Sequence, residues 1–333
     1  MKLIFRYNRP IKRTGETPFG WGTMVDLVWD EPEWKARFNE ACRLNDWNGV
    51  RSLRRDVFFS TLELIDFGRG YTTTEGLHVD LPLNETLTED TLFYSCELPA
   101  VTSAGEGRDT LIEVVCEDCL TLARNLRAKE GEVCVLNMAS RRNPGGGVIN
   151  GMGAQEEYLF RCSDYFRSLY QFASYAEQYG IQRSPNQYPL DRDWGGIFSP
   201  GVTIFRGTET EGYRLLNHPW RANFIAVAGI NNPQLILQGD EERVVSRLVD
   251  PIKNKMRTIL RIAAHNGQRV LVLGALGCGA FHNPPKHTAE LFYEVLHEDE
   301  FSGVFRHVAF AIKEDHNSPA GGNYEPFANV FNQ

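Results

Sequence analysis

"RVLVLGAL", residues 269–276, is apolar at almost every position. A strand of that kind is stable only when both of its faces are covered. "EVCVLNMAS" at 132–140 has the same character, and "TLIEVVCE", "IFSPGVTIFRG", "ANFIAVAGI" and "HVAFAIKED" read as further strands rich in β-branched or apolar residues. Between them, "DCLTLARNLRAKEG" reads as a helix with Asp118 as N-cap. "EERVVSRLVDPIKNKMRTILRIAAHNG" and "KHTAELFYEVLH" read as two more helices. Strands alternating with helices from about Asp109 onward predict an α/β layered domain with a covered central sheet.

The first hundred residues have a different rhythm. "EPEWKARFNEACRLNDW" and "NGVRSLRRDVFFSTLELIDFG" have helical spacing, with Phe58, Leu62 and Ile65 on one face and Gly68 as a stop. "EGLHVDLPL" and "DTLFYSCELPAV" read as short strands. We therefore expect a mainly helical extension over residues 1–105 packed on a main domain over 106–333. Trp21, Trp29 and Trp34 in the extension serve either packing or a partner surface; large aromatics mostly serve cores.

The net charge of −8 argues against general nucleic-acid binding, which needs a basic surface. Seven cysteines, scattered and odd in number, read as the reduced thiols of a cytoplasmic protein. Cys116 and Cys119 form a CxxC, but no second pair follows at zinc spacing. The apolar patch in "MKLIFRYNRPIKR" is too short for a signal-peptide core, and no run approaches the ~20 apolar residues of a membrane span.

Two glycine loops leave strand ends, the place where open α/β sheets bind ligands. In the first, Pro144 precedes Gly145, Gly146 and Gly147, and a helix follows from about Gln155, with Leu159, Cys162, Phe166 and Leu169 on its buried face. Glycines there let backbone N–H groups approach phosphate oxygens, although a bare glycine run also serves a flexible turn. Glu156 and Glu157 fall in the first turn of the helix, where acids complement the helix dipole. Helix neighbours point about 100° apart. The two carboxylates therefore suit different tasks, one at a reacting bond and one at a hydroxyl. The second loop, "LGALGCGAFHNPP", carries Gly277, Cys278 and Gly279 ahead of Phe281. It is either a tight turn with a core ring, or the second half of a diphosphate clamp with a ring left to stack on a base.

"NPGGGVINGMGAQEE" resembles the GGG-x(6–8)-QEE signature of the poly(ADP-ribose) glycohydrolases, with the seven-residue spacer Val148–Ala154. "VLNMASRRNPGGG", "SPGVTIFRG", "VLGALGCGAFHNPP" and "VAFAIKED" are similar to the microbial-type branch, over a span from about Arg51 nearly to the end. The resemblance implies a macrodomain-like mixed central sheet flanked by helices. It also implies hydrolysis of the ribose–ribose bond of poly(ADP-ribose), releasing ADP-ribose without metal or cofactor. By position it makes Glu157 the catalytic acid/base and Glu156 its ribose-orienting partner. It makes Gly145, Gly146, Gly147, Val148, Gln155, Asn137, Gly277, Cys278, Gly279, Ala280 and Phe281 ADP-ribose contacts. Asp118 joins them as an adenine contact, an N-cap role explaining it equally well.

A general acid at neutral pH needs an upward-shifted carboxyl, and burial beside a second carboxylate gives that shift. Other expectations are poly(ADP-ribose) or ADP-ribosylated protein as substrate, no membrane partner and a monomeric state. A mono-ADP-ribosyl hydrolase acting on protein, nucleic acid or a small molecule remains an alternative. So does a binding macrodomain, against which the paired glutamates count. "YGIQRSPNQYPLDRDWGG" reads as a solvated loop or a cleft wall, and Asn231, Asn232 and Pro233 stand where small residues are expected.

Overall fold

The computed structural model describes residues 29–67, 70–102, 109–314 and 318–332. In chain order the elements are α1 (Glu31–Arg43), α2 (Trp47–Phe67), β1 (Gly70–Thr72), β2 (His78–Asp80), α3 (Leu87–Asp90), β3 (Leu92–Tyr94) and β4 (Leu111–Val115). They continue with α4 (Cys119–Glu130), β5 (Cys134–Met138), α5 (Gln155–Cys162), α6 (Phe166–Leu169), β6 (Gly196–Arg206) and β7 (Leu215–Val227). Then come β8 (Leu235–Gln238), β9 (Glu241–Val244), α7 (Val249–His265), β10 (Val270–Leu273), α8 (Pro285–Leu296), β11 (His307–Ala311) and α9 (Tyr324–Phe331).

Seven strands form one mixed sheet in the order β3-β6-β7-β5-β10-β11-β4. β7, β5, β10, β11 and β4 run parallel, while β6 and β3 pair antiparallel at the edge. The apolar strands are buried on both faces because successive side chains alternate between two cores. Val135, Val270 and Val272 pack with α2, α4 and α5. Leu136, Leu271 and Leu273 pack with α7, α8 and α9. A mixed sheet between helical layers is thus observed, and β5 and β10 at its centre both end beside a glycine loop.

The amino-terminal segment is drawn into this architecture. Trp29, Trp34, Leu53, Val57 and Phe58 join the core on the α5 side, and β3 supplies the sheet's edge strand. Trp21 and Gly68 lie outside the described residues. Among the described residues no helix is long and apolar enough to cross a membrane. All seven cysteines are free, Cys116 exposed and Cys119 buried.

Two expected helices are corrected. "EERV" is strand β9, paired with β8 around Gly239, whose φ of 65° suits the turn; the helix begins only at Val249. The helix from Gln155 ends at Cys162. Ser163 is extended and bridges Ile204, and Asp164 Oδ1 accepts the N–H of Thr203 at 2.7 Å. Leu159, Cys162, Phe166 and Leu169 are all buried as expected, but from two helices rather than one.

Candidate active site

α5 starts against the end of β5, and its first turn folds back onto the glycine loop. Gly147 N–H donates to Glu157 Oε1 at 2.8 Å. Glu156 accepts from Gly145 N–H at 3.0 Å on Oε1 and from Ser140 N–H at 2.7 Å on Oε2. Asn137, fully buried, places Nδ2 3.4 Å from Glu156 Oε1 and 3.4 Å from the Tyr165 hydroxyl. Both carboxyl groups are buried, and one oxygen of the four, Glu157 Oε2, has no hydrogen-bond partner among the described residues. Asn137 Oδ1 and the Tyr188 hydroxyl are likewise buried without a partner.

This geometry explains the glycines. Gly145 and Gly146 have φ of 76° and 55°, where a side chain is strained. A Cβ on Gly145 would meet the Phe160 ring at 2.6 Å, and one on Gly146 would overlap the Glu157 carboxylate. One on Gly147 would meet Met152 Cγ at 2.5 Å. The close approach is made by the protein's own groups. The expectation that these amides face phosphate is therefore corrected. Gly145 and Gly147 donate to the glutamates, Gly146 to Asn143 O and Val148 to Gly145 O. The buried Val148 side chain belongs to the core.

Electrostatics follow from the same packing. Burial, and after it the Glu157 carboxylate, push Glu156 up to about 8, against the hydrogen bonds from Ser140, Gly145 and Asn137. Burial beside a second carboxylate thus raises Glu156. With its carboxyl so raised, Glu156 keeps its proton at neutral pH.

The second loop is built differently. The N–H groups of Gly277, Gly279, Ala280 and Phe281 donate to nothing among the described residues. Gly277 has φ of 78°, and a Cβ there would meet Asn283 Nδ2 at 2.5 Å. Asn283 holds the loop by donating to Ile230 O at 2.7 Å and Gly277 O at 3.1 Å. Cys278 is corrected: its amide is bound to Ala275 O at 3.0 Å and its thiol is buried in the core. Phe281 is half-buried, belongs to neither core and has no aromatic neighbour among the described residues. It lines a cleft together with Asp118, Gln155, Gly277, Gly279 and Ala280. The glutamates, Asn137 and the first glycine loop do not line that cleft; α5 joins the two regions through Gln155.

Gln155 ties α5 to β5. Its Oε1 accepts Met138 N–H at 2.9 Å and its Nε2 donates to Leu136 O at 2.7 Å. Asp118 caps α4 by accepting from Leu120 N–H and Thr121 N–H, and the same Oδ1 accepts the Tyr158 hydroxyl at 2.8 Å. Burial pushes the Asp118 carboxyl upward despite these donors. Its Oδ2 has no partner among the described residues.

The sequence reading missed Arg54, Tyr158, Gly229 and Lys313, all of which line the cleft. Tyr158 directly follows the glutamates, and Gly229 lies two residues beyond the end of β7; both positions were available as signals. Arg54, on a helix distant in sequence, carried none. In the loop expected at 179–196, the Tyr188 hydroxyl is buried while many of its neighbours are exposed.

Residues 60–207 match the family model of the microbial-type PARG catalytic domain. The poly(ADP-ribose) glycohydrolase of Thermomonospora curvata is 33% identical, covering 84% of this chain and 99% of that one, with a TM-score of 0.66. The same protein bound to the inhibitor ADP-HPD is 32% identical over 84% and 99%, with a TM-score of 0.63. A Deinococcus radiodurans poly(ADP-ribose) glycohydrolase in complex with ADP-ribose is 31% identical over 76% and 98%, with a TM-score of 0.59. Among curated proteins no relative matches the chain.

Proposed function

The chain belongs to the microbial-type poly(ADP-ribose) glycohydrolases, glycosidases that act on poly(ADP-ribose), and we propose that Glu157 supplies and recovers the proton in that hydrolysis. One observation carries this assignment: Glu157 Oε2 is the single oxygen of the pair that no protein donor engages. Glu156, bonded through both oxygens to backbone amides, shapes the loop.

On this reading the substrate's diphosphate lies on the amides of Gly277, Gly279, Ala280 and Phe281, which have no acceptor among the described residues. Adenine stacks on Phe281, and its amine donates to Asp118 Oδ2. The distal ribose then extends along the start of α5, past Gln155, to the glycine loop and the carboxyl pair. Gly145, Gly146 and Gly147 border the ribose through their surface rather than through amide donation, and Asn137 Oδ1 accepts a hydroxyl beside them.

Glu157 protonates the ribose oxygen that departs as the glycosidic bond breaks. Positive charge develops on the distal ribose, close to the anionic diphosphate of the same molecule. Glu157, now charged, takes a proton from the incoming water, and ADP-ribose leaves. Exposed free thiols at Cys96 and Cys116 fit a reducing, cytoplasmic compartment. We place the described residues 29–67 and 70–102 with the catalytic unit, packed beside α5, not as a separately functioning module.

The test is Glu157→Gln. It preserves shape and the Gly147 contact but removes the acid, so ADP-ribose affinity persists while kcat on poly(ADP-ribose) falls by at least about two orders of magnitude. Turnover near wild type would remove the assignment. Parallel incubation with mono-ADP-ribosylated protein measures whether the cleft also accepts a single unit.

A further inference from the structure

Glu157 is positioned through a hydrogen-bonded chain that begins outside the family-matched span of residues 60–207. Arg54, on α2, meets Glu209 with both arms: Nε to Oε2 at 2.8 Å and Nη2 to Oε1 at 2.8 Å. Glu209 Oε2 also accepts the Tyr213 hydroxyl at 2.9 Å. That hydroxyl accepts Arg161 Nε at 2.8 Å, and Arg161 Nη1 donates to Met152 O at 2.7 Å. Met152 N–H donates to Gly147 O at 3.2 Å, and Gly147 N–H donates to Glu157 Oε1 at 2.8 Å. No link in this series requires a ligand.

The same helix presses on the spacer between the glycines and the glutamates. A Cβ on Gly151 would overlap the carbonyl of Arg51, and one on Gly153 would overlap the Arg54 guanidinium. Tyr213 and Arg161 are fully buried. The tryptophans of the amino-terminal segment stand behind them: the Trp34 ring meets Tyr213 edge-on at 5.2 Å, and Trp29 Nε1 donates to Gly212 O at 2.8 Å.

We propose that Arg54, Glu209, Tyr213 and Arg161 are positioning residues for hydrolysis, fixing the spacer loop so that Gly147 holds Glu157 with Oε2 free. This rests on Glu157 being the acid. The pair of Arg54 and Glu209 anchors the chain on α2, Tyr213 couples it to Arg161, and Arg161 transmits it to the loop. A displacement of about 1 Å at a reacting group costs on the order of a hundredfold in rate. A contact that only positions the acid therefore lowers kcat and leaves binding alone.

The experiment compares wild type, Tyr213→Phe and Glu209→Gln on poly(ADP-ribose), measuring kcat, KM, ADP-ribose Kd and thermal midpoint. Tyr213→Phe removes one hydroxyl and keeps the ring. It is expected to lower kcat by about 5- to 50-fold, with KM and Kd within about twofold of wild type. Glu209→Gln, at a partly exposed position, is expected to do the same and serves if Tyr213→Phe does not fold. A lowered thermal midpoint with kcat within twofold would show a purely structural chain and overturn the inference. All four residues border the cleft, so Kd rising in step with the loss of rate would show that they act by holding the ligand and would overturn it equally. A wild-type protein releasing no ADP-ribose would overturn the proposed function and this inference with it. An active wild type beside an equally active Tyr213→Phe overturns this inference alone.

Discussion

Replacing Glu156 by glutamine exposes the cost of holding two carboxylates on one loop. Glu156 is 3% exposed, and its carboxyl is raised from 4.5 to about 8. The difference, 8 − 4.5, is about 3.5 units, and each unit corresponds to about 1.4 kcal/mol. Linkage fixes the sign. A folded-state value above the unfolded one means that the native state holds the proton longer, so its stabilising effect is complete below about 4.5 and is lost as pH rises through about 8. Wild type should lose on the order of 5 kcal/mol across that window relative to a variant with no titrating group there. Glutamine has its own fixed cost. One of its two terminal atoms is an NH₂ facing either Ser140 N–H or Gly145 N–H, a donor–donor contact worth about 1–3 kcal/mol at any pH. The two stability curves should therefore cross, the variant being less stable near pH 5 and more stable near pH 9. Urea unfolding of both proteins at five pH values between 5 and 9 measures the difference, in which groups remote from the carboxyl pair cancel. A difference independent of pH would refute the idea that burial and mutual repulsion load this pair with a proton.

Two further substitutions test the loops. Phe281→Ala should weaken ADP-ribose binding by about 1–3 kcal/mol in calorimetry while leaving the thermal midpoint near wild type, because the ring belongs to neither core; unchanged affinity would show that it does not stack on the base. Gly146→Ala introduces a side chain at φ 55° directly onto the Glu157 carboxylate, so stability should drop by about 1–3 kcal/mol and kcat by about a hundredfold. Turnover of that variant within threefold of wild type would mean that the carboxylate's seat on the loop is unimportant.

The sheet was legible because its centre obeys a simple demand. β5 and β10 must hide both faces, so their sequences carry apolar residues without interruption, and that pattern has few alternatives. β8 and β9 make no such demand. They stand off the sheet, Leu237 is 72% exposed, and "EERV" shows only charges that suit a helix equally well. The turn at Gly239 and Asp240 was the one available signal. The break at Ser163 was hidden for the opposite reason: α5 and α6 bury the same face of the chain, so helical periodicity continues across a residue that has left the helix to bridge Ile204.

In the site, the sequence announced that nothing larger than hydrogen fits at residues 145–147, but a run of glycines does not say what comes close. Here Phe160, Glu157 and Met152 do. Amides that bind a phosphate and amides that bind a glutamate have the same chemistry, since both present N–H groups to an anion; only the fold decides which anion arrives. The seven-residue spacer returns α5 onto the loop, so the glutamates occupy the donors of the first loop while those of the second stay open. On the proposed mechanism, that division of labour makes the pair an acid. A carboxylate bonded through both oxygens is held fast, whereas its neighbour, bonded through one, keeps an oxygen from which a proton can pass to the departing ribose.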